Sequence, residues 1–141
     1  MRIASLRWLP ILAVTLFVSC SKGSGGSGGN PPPPPDEANL VVTTDPANNA
    51  VVPAAPGPYS VKVTITSAMP KNGVTLEVKA RKDDGSGAPA FFTYSNNTTN
   101  AVSNINITSV PANTLCLVEV KVTSLTKASN TWSGSYRFSA K

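Results

Sequence analysis

Between Cys116 and Thr123 the chain alternates with a period of two. Cys116, Val118, Val120 and Val122 fall on one side, and Leu117, Glu119, Lys121 and Thr123 on the other. Successive side chains of an extended strand point to opposite faces, so such a run presents one apolar face and one largely polar face. The same residues wound into a helix would scatter the valines around its circumference. Two further runs behave alike. Tyr59, Val61, Val63 and Ile65 alternate with Ser60, Lys62, Thr64 and Thr66, and Val74, Leu76, Val78 and Ala80 alternate with Thr75, Glu77, Lys79 and Arg81. No segment from Leu40 onward carries a helical period.

Turn-forming residues punctuate these runs: Asp45-Pro46, Pro56-Gly57-Pro58, Asn72-Gly73, Asp83-Asp84-Gly85, Asn96-Asn97 and Ser133-Gly134. Seven strands are expected between them, over Leu40–Thr44, Tyr59–Ser67, Val74–Arg81, Ala90–Tyr94, Ala101–Thr108, Leu115–Ser124 and Ser135–Ala140. About seven short strands in a domain over residues 40–141 predict an all-β fold, an Ig-like antiparallel β-sandwich, with a small closed barrel as the competitor. The expected core joins the inward sets above to Ile105, Ile107, Tyr136 and Phe138. Two stretches carry a resemblance. "TTDPANNAVV", Thr43 to Val52, resembles the opening of bacterial Ig-like domains, with Asn49 where glycine is usual. "SVPANTLCLVEVKVTS", Ser109 to Ser124, resembles the penultimate strand of fibronectin type III and related domains. There Pro111 comes one position early, Thr114 fits, and Cys116 takes the place of a tyrosine. The resemblance implies a fold and transfers no functional residue.

The start of the chain is of another kind. Arg2 and Arg7 precede an apolar run from Trp8 to Val18. As a helix that run reaches about 16 Å, about half of a ~30 Å hydrocarbon core, which suits a secretory signal. The run closes on Val18-Ser19-Cys20, which resembles a bacterial lipoprotein signal. The resemblance implies removal of residues 1–19 and acylation of Cys20 on its sulfur and its new amino terminus. Two other readings stay open: Cys20 as an ordinary residue after a conventional cut, and Cys20 paired with Cys116, the second of two cysteines. Residues 20–39 form the expected disordered linker. Ser21–Asn30 is a Gly/Ser coil reaching roughly 16–19 Å, and Pro31–Pro35 is a polyproline II spacer of about 15 Å. Cleavage takes Arg2 and Arg7, leaving ten basic residues against seven acidic ones, a charge of about +3. That charge is spread out, unlike the dense stripe of a nucleic-acid binder.

Chemistry is sparsely supplied. The 141 residues contain no histidine, which removes the commonest general base and zinc ligand. Glu77 and Glu119 sit on outward faces beside Lys79 and Lys121, and read as a solvated charged surface. Asp83-Asp84-Gly85-Ser86 reads as a hairpin turn, lacking the spaced acidic ladder of a calcium loop. Cys116 is in phase with core valines and reads as a small buried hydrophobe. No enzyme, cofactor or metal is expected. The expectation is a lipid-anchored cell-envelope protein, outer membrane favoured, presenting a monomeric, non-catalytic binding or structural module. Its expected partners are the membrane and an envelope protein or a glycan. One alternative is a carbohydrate-binding module, with Trp132, Asn130 and Tyr94 as candidate contacts, because flat sugar faces stack on aromatic rings. Another is a subunit of a surface assembly joined by strand addition.

Overall fold

In the computed structural model, which describes residues 36–141, every alternating run becomes a strand. The expected signal peptide, Cys20 and the linker up to Pro35 lie outside the described residues. Eight strands form: β1 (Val42–Asp45), β2 (Val51–Ala55), β3 (Tyr59–Ile65), β4 (Val74–Lys82), β5 (Phe92–Thr98), β6 (Val102–Ile107), β7 (Leu115–Ser124) and β8 (Thr131–Ala140). They make two packed sheets, of order β1-β3-β6 and β2-β8-β7-β4-β5, and no helix occurs among the described residues. The expected all-β sandwich is thus the observed fold.

The register explains why alternation was so clear in β4 and β7. Val74 to Lys82 pair in unbroken antiparallel register with Ser124 to Cys116, and Leu115 to Thr123 pair with Ser139 to Thr131. Opposed residues share a face, so Val78, Val120 and Gly134 lie in one row across three strands. The inward faces close on Val61, Val63, Ile65, Ile105 and Ile107 of the smaller sheet. Each fully buried valine, isoleucine or phenylalanine contributes about 1.5–3 kcal/mol. Phe138 is the largest fully buried side chain. Tyr59 stacks on it with ring centroids 4.5 Å apart, bridging the two sheets. The expected core residues are buried, except Tyr59, which is half-buried at the margin.

Three expectations need correction. There are eight strands, not seven, and the extra one is parallel: Val51 and Val52 of β2 lie beside Arg137 and Phe138 of β8. β2 shows no alternation because only Val52 is even partly buried. Its Pro53 removes a ladder donor, which confines it to an edge, and the register shifts between Val52 and Ala55. Asn96-Asn97 is not a turn but the end of β5, where the Asn97 Oδ1 accepts a 2.8 Å hydrogen bond from Thr75 Oγ1. Polar side chains fit there because this end of the edge strand β5 is exposed on both faces, at Asn96 as at Asn97. Ser133-Gly134 likewise lies within β8, which begins at Thr131. A Cβ on Gly134 would lie 2.4 Å from the Trp132 ring, so this glycine makes room for an aromatic neighbour rather than a bend. Asn72-Gly73 is a turn as expected. Gly73 has φ +81°, and a Cβ there would meet the Thr98 carbonyl oxygen at 2.5 Å.

Replacing Phe138 with alanine removes the ring on which Tyr59 stacks. The expected loss is about 3–5 kcal/mol, read in urea denaturation as a lower midpoint with unchanged slope.

Candidate functional site

The outward positions of β4, β7 and β8 fall into cross-strand rows. Glu77, Lys121 and Ser133 form one, and Lys79, Glu119 and Ser135 the next. Each row sets an acid beside a lysine and ends on a serine hydroxyl. The Glu77 carboxylate pairs with Lys121 Nζ at 3.8 Å, and Glu119 pairs with Arg81 at 3.4 Å. Both pairs are solvent-exposed, so each adds only about 0.2–1 kcal/mol. Lys79 makes no ion pair among the described residues. Two apolar residues of β7 share this face: Leu115 is exposed at its start, and Leu117 follows. Leu117 lies between Arg81 and Arg137 in the register and is buried there. The Arg137 guanidinium is held in turn by Asp83.

Asn48 and Asn49, in the corner between β1 and β2, wall these rows on one side. Asn49 adopts a left-handed φ of 63°, a conformation asparagine tolerates better than most residues. Its N–H donates to the Ser135 carbonyl at 2.7 Å, and the Asn48 Oδ1 accepts the Ser135 N–H at 2.8 Å. The result is an open polar cleft of about 540 Å³ over the outer face of the larger sheet, floored by the Val120 and Gly134 backbone. Amide, hydroxyl, ammonium and carboxylate groups converge there without an aromatic platform. Each of its carboxylates, Glu77 and Glu119, has a cationic partner. The arrangement can hydrogen-bond and charge-pair with a polar ligand.

Glu77, Lys79, Glu119 and Lys121, read from sequence as a charged surface, line this cleft, whereas the candidate contacts Trp132, Asn130 and Tyr94 do not meet in it. Trp132 is half-buried on the core-facing side of β8, its ring over Gly134. Tyr94 is half-buried on the same side of β5, opposite Val78. Three strand spacings, about 14 Å, separate β8 from β5. Asn130 is buried in the β7–β8 connection and its side chain is engaged by the chain's own first described residues. Its Nδ2 donates to the Glu37 carboxylate and, at 2.9 Å, to the Ala38 carbonyl, while its Oδ1 accepts the Leu40 N–H at 2.9 Å. Ser124 Oγ completes this latch. It donates to Glu37 at 3.0 Å and accepts the N–H groups of Thr126 and Lys127. Lys127 pairs with Asp36 at 3.2 Å.

The remaining reactive groups are committed elsewhere. Cys116 is fully buried and its Sγ points at the Thr114 carbonyl, 3.7 Å away. Burial pushes its thiol pKa up, against a smaller downward pull from Lys82. Asp84 is held below its ordinary pKa by hydrogen bonds from Ser86, which close the Asp84–Ser86 turn. Among the described residues no three Cys, Asp or Glu side chains converge as a metal site requires. The remaining cleft residues escaped sequence reasoning because Ser133-Gly134 reads as a turn and nothing local marks Asn48 or Ser135. The signal that would have placed Ser133 on this face is period two continuing backward through Thr131, Ser133 and Ser135. Comparison with known proteins finds no matching protein family, no matching curated protein and no matching solved structure.

Two outcomes follow from these placements. Asn130→Ala strips the latch and leaves the Leu40 N–H unsatisfied, so stability falls by about 1–3 kcal/mol. Limited proteolysis then cuts within residues 36–41 well before the rest of the domain. The Cys116 thiol stays unreactive toward an aromatic disulfide reagent in the native protein and reacts at once in denaturant.

Proposed function

We propose that this chain is a bacterial cell-envelope lipoprotein, anchored through Cys20, whose β-sandwich is a non-catalytic binding or structural module. The observation that carries the reading is the seam at Val18-Ser19-Cys20. It closes an apolar run behind a basic start and opens onto a Gly/Ser/Pro stretch. The cysteine supplies the thiol for a thioether, and small neighbours give a peptidase access. One acyl chain holds a protein at a membrane only marginally, so the anchor implied here carries more than one.

The sandwich supports this reading through its polarity. The latch ties residues 36–40 to the β7–β8 connection, so the chain enters the domain at that end. The connections β2–β3, β4–β5 and β6–β7 lie at the other end, because Tyr59, Lys82 and Leu115 stand at the far ends of their ladders. Loops far from the point of entry, on a rigid scaffold, are where binding residues concentrate. The sheet order β1-β3-β6 and β2-β8-β7-β4-β5 supports an immunoglobulin-like assignment, with a parallel strand at one margin. The polar cleft under Asn48 and Asn49 is the surface best suited to a partner, and the engagement of both its carboxylates in ion pairs favours binding over turnover.

Intact mass of the membrane-extracted protein tests the anchor. The expected mass is that of residues 20–141 plus acyl chains. Cys20→Ser is expected to lose the added mass and to leave the membrane fraction. An unlipidated, cleaved chain would overturn the reading and make the protein a freely secreted domain. Because Cys116 is buried in the folded sandwich, a bond between Cys20 and Cys116 would then require the end of β7 to open.

A further inference from the structure

A sandwich of two open sheets has four edge strands, and a bare edge is a template for pairing with another chain. Three of the four give little opening here. β1 has four residues and ends on the charged Asp45. β2 carries Pro53 and a register shift. β6 is uncharged, but its inward Ile105 and Ile107 are already buried, so added cover brings them nothing. β5 differs from all three. Its seven residues, Phe92-Thr93-Tyr94-Ser95-Asn96-Asn97-Thr98, contain no charge, proline or glycine. They pair in unbroken register with β4 on one side only. On the core-facing side Phe92 and Tyr94 remain half-buried, packed against the margin of the core.

We infer that β5 pairs antiparallel with β5 of a second copy of this chain, about a two-fold axis at Ser95, joining two five-stranded sheets into one. The sequence of β5 suits this partner. A two-fold antiparallel ladder sets each residue opposite a residue of the same strand, so a charge would sit close to its own like charge, a destabilising arrangement. β5 has none, although the chain as a whole carries +5. With Ser95 on the axis, Thr93 faces Asn97, Tyr94 faces Asn96 and Phe92 faces Thr98. Inward residues meet inward residues, and the two Tyr94 rings become diagonal neighbours within aromatic reach. The charged rows of β4 and its equivalent stay three strand spacings apart, about 14 Å, beyond the ~8–10 Å screening length of ordinary salt. A single seven-residue ladder is a small contact, so the association is weak and grows with local concentration. The inference holds whether or not Cys20 is acylated.

Full-length chain bearing Ser95→Cys, produced in cells and treated with a short bis-maleimide, tests it, with Thr131→Cys as the exposed control on β8. The expected result is several-fold more cross-linked dimer from Ser95→Cys, abolished when Asn96→Lys is added. Protection of Cys116 certifies that each variant is folded. Should Ser95→Cys misfold, co-expressed Thr93→Cys and Asn97→Cys chains give the same reading, since the register sets those positions face to face. Equal cross-linking at residues 95 and 131 would overturn the inference. So would indifference to Asn96→Lys, or capture of a different protein at residue 95.

Discussion

β7 is bonded along both edges and packed on its inner face, and most of the molecule follows from that. Its nine-residue ladder with β4 and its nine-residue ladder with β8 share one register, so Val118, Val120 and Val122 fix the level of every inward row in the larger sheet. A slip of one residue would bring Glu119 and Lys121 into the core and put the valines in water. The cost of burying two charges makes that alternative inaccessible. The same register then dictates the outer surface. Glu77 must face Lys121 and Lys79 must face Glu119, so the checkerboard of charge is a consequence of how the core packs.

Legibility in the sequence tracked burial contrast. β3, β4 and β7 alternate between buried and exposed positions, so their residues record the pleat directly. β2 is exposed nearly throughout, so no apolar face marks it. Asn96 and Asn97 looked like turn residues because their usual role is to bond the local backbone. On an open edge they serve as well as any polar side chain. Gly134 is the instructive case. A glycine after a serine suggested a bend, whereas the space it leaves is filled by the Trp132 ring from two positions away. The candidate contacts fared according to the same logic. Asn130, Trp132 and Tyr94 are each partly or wholly taken up by the fold, while the cleft joins the charged rows of β4 and β7, legible in the alternation, to Asn48, Asn49 and Ser135, which nothing local marks. What joins Asn48 to Ser135 is a side-chain-to-backbone hydrogen bond across 87 positions, which no local pattern carries.

The two ends of the sandwich are chemically unequal. One is closed by the Glu37, Ser124 and Asn130 latch, in which a carboxylate, a hydroxyl and an amide satisfy one another. The other is formed by connections rich in proline, glycine and serine, with Pro56-Gly57-Pro58 packed beside Tyr59. A latch of this kind makes the last part of the linker belong to the domain, since the Leu40 N–H and the Ala38 carbonyl depend on it for their bonds.

That latch also sets how the molecule bears load. A pull on residue 36, directed away from the far connections, runs along the axis of β1. The bonds of Glu37 and Asn130 and the four β1–β3 pairs from Val42–Ile65 to Asp45–Lys62 then resist side by side, in shear, instead of opening one after another like a zipper. The chain enters where its first strand can carry tension lengthwise.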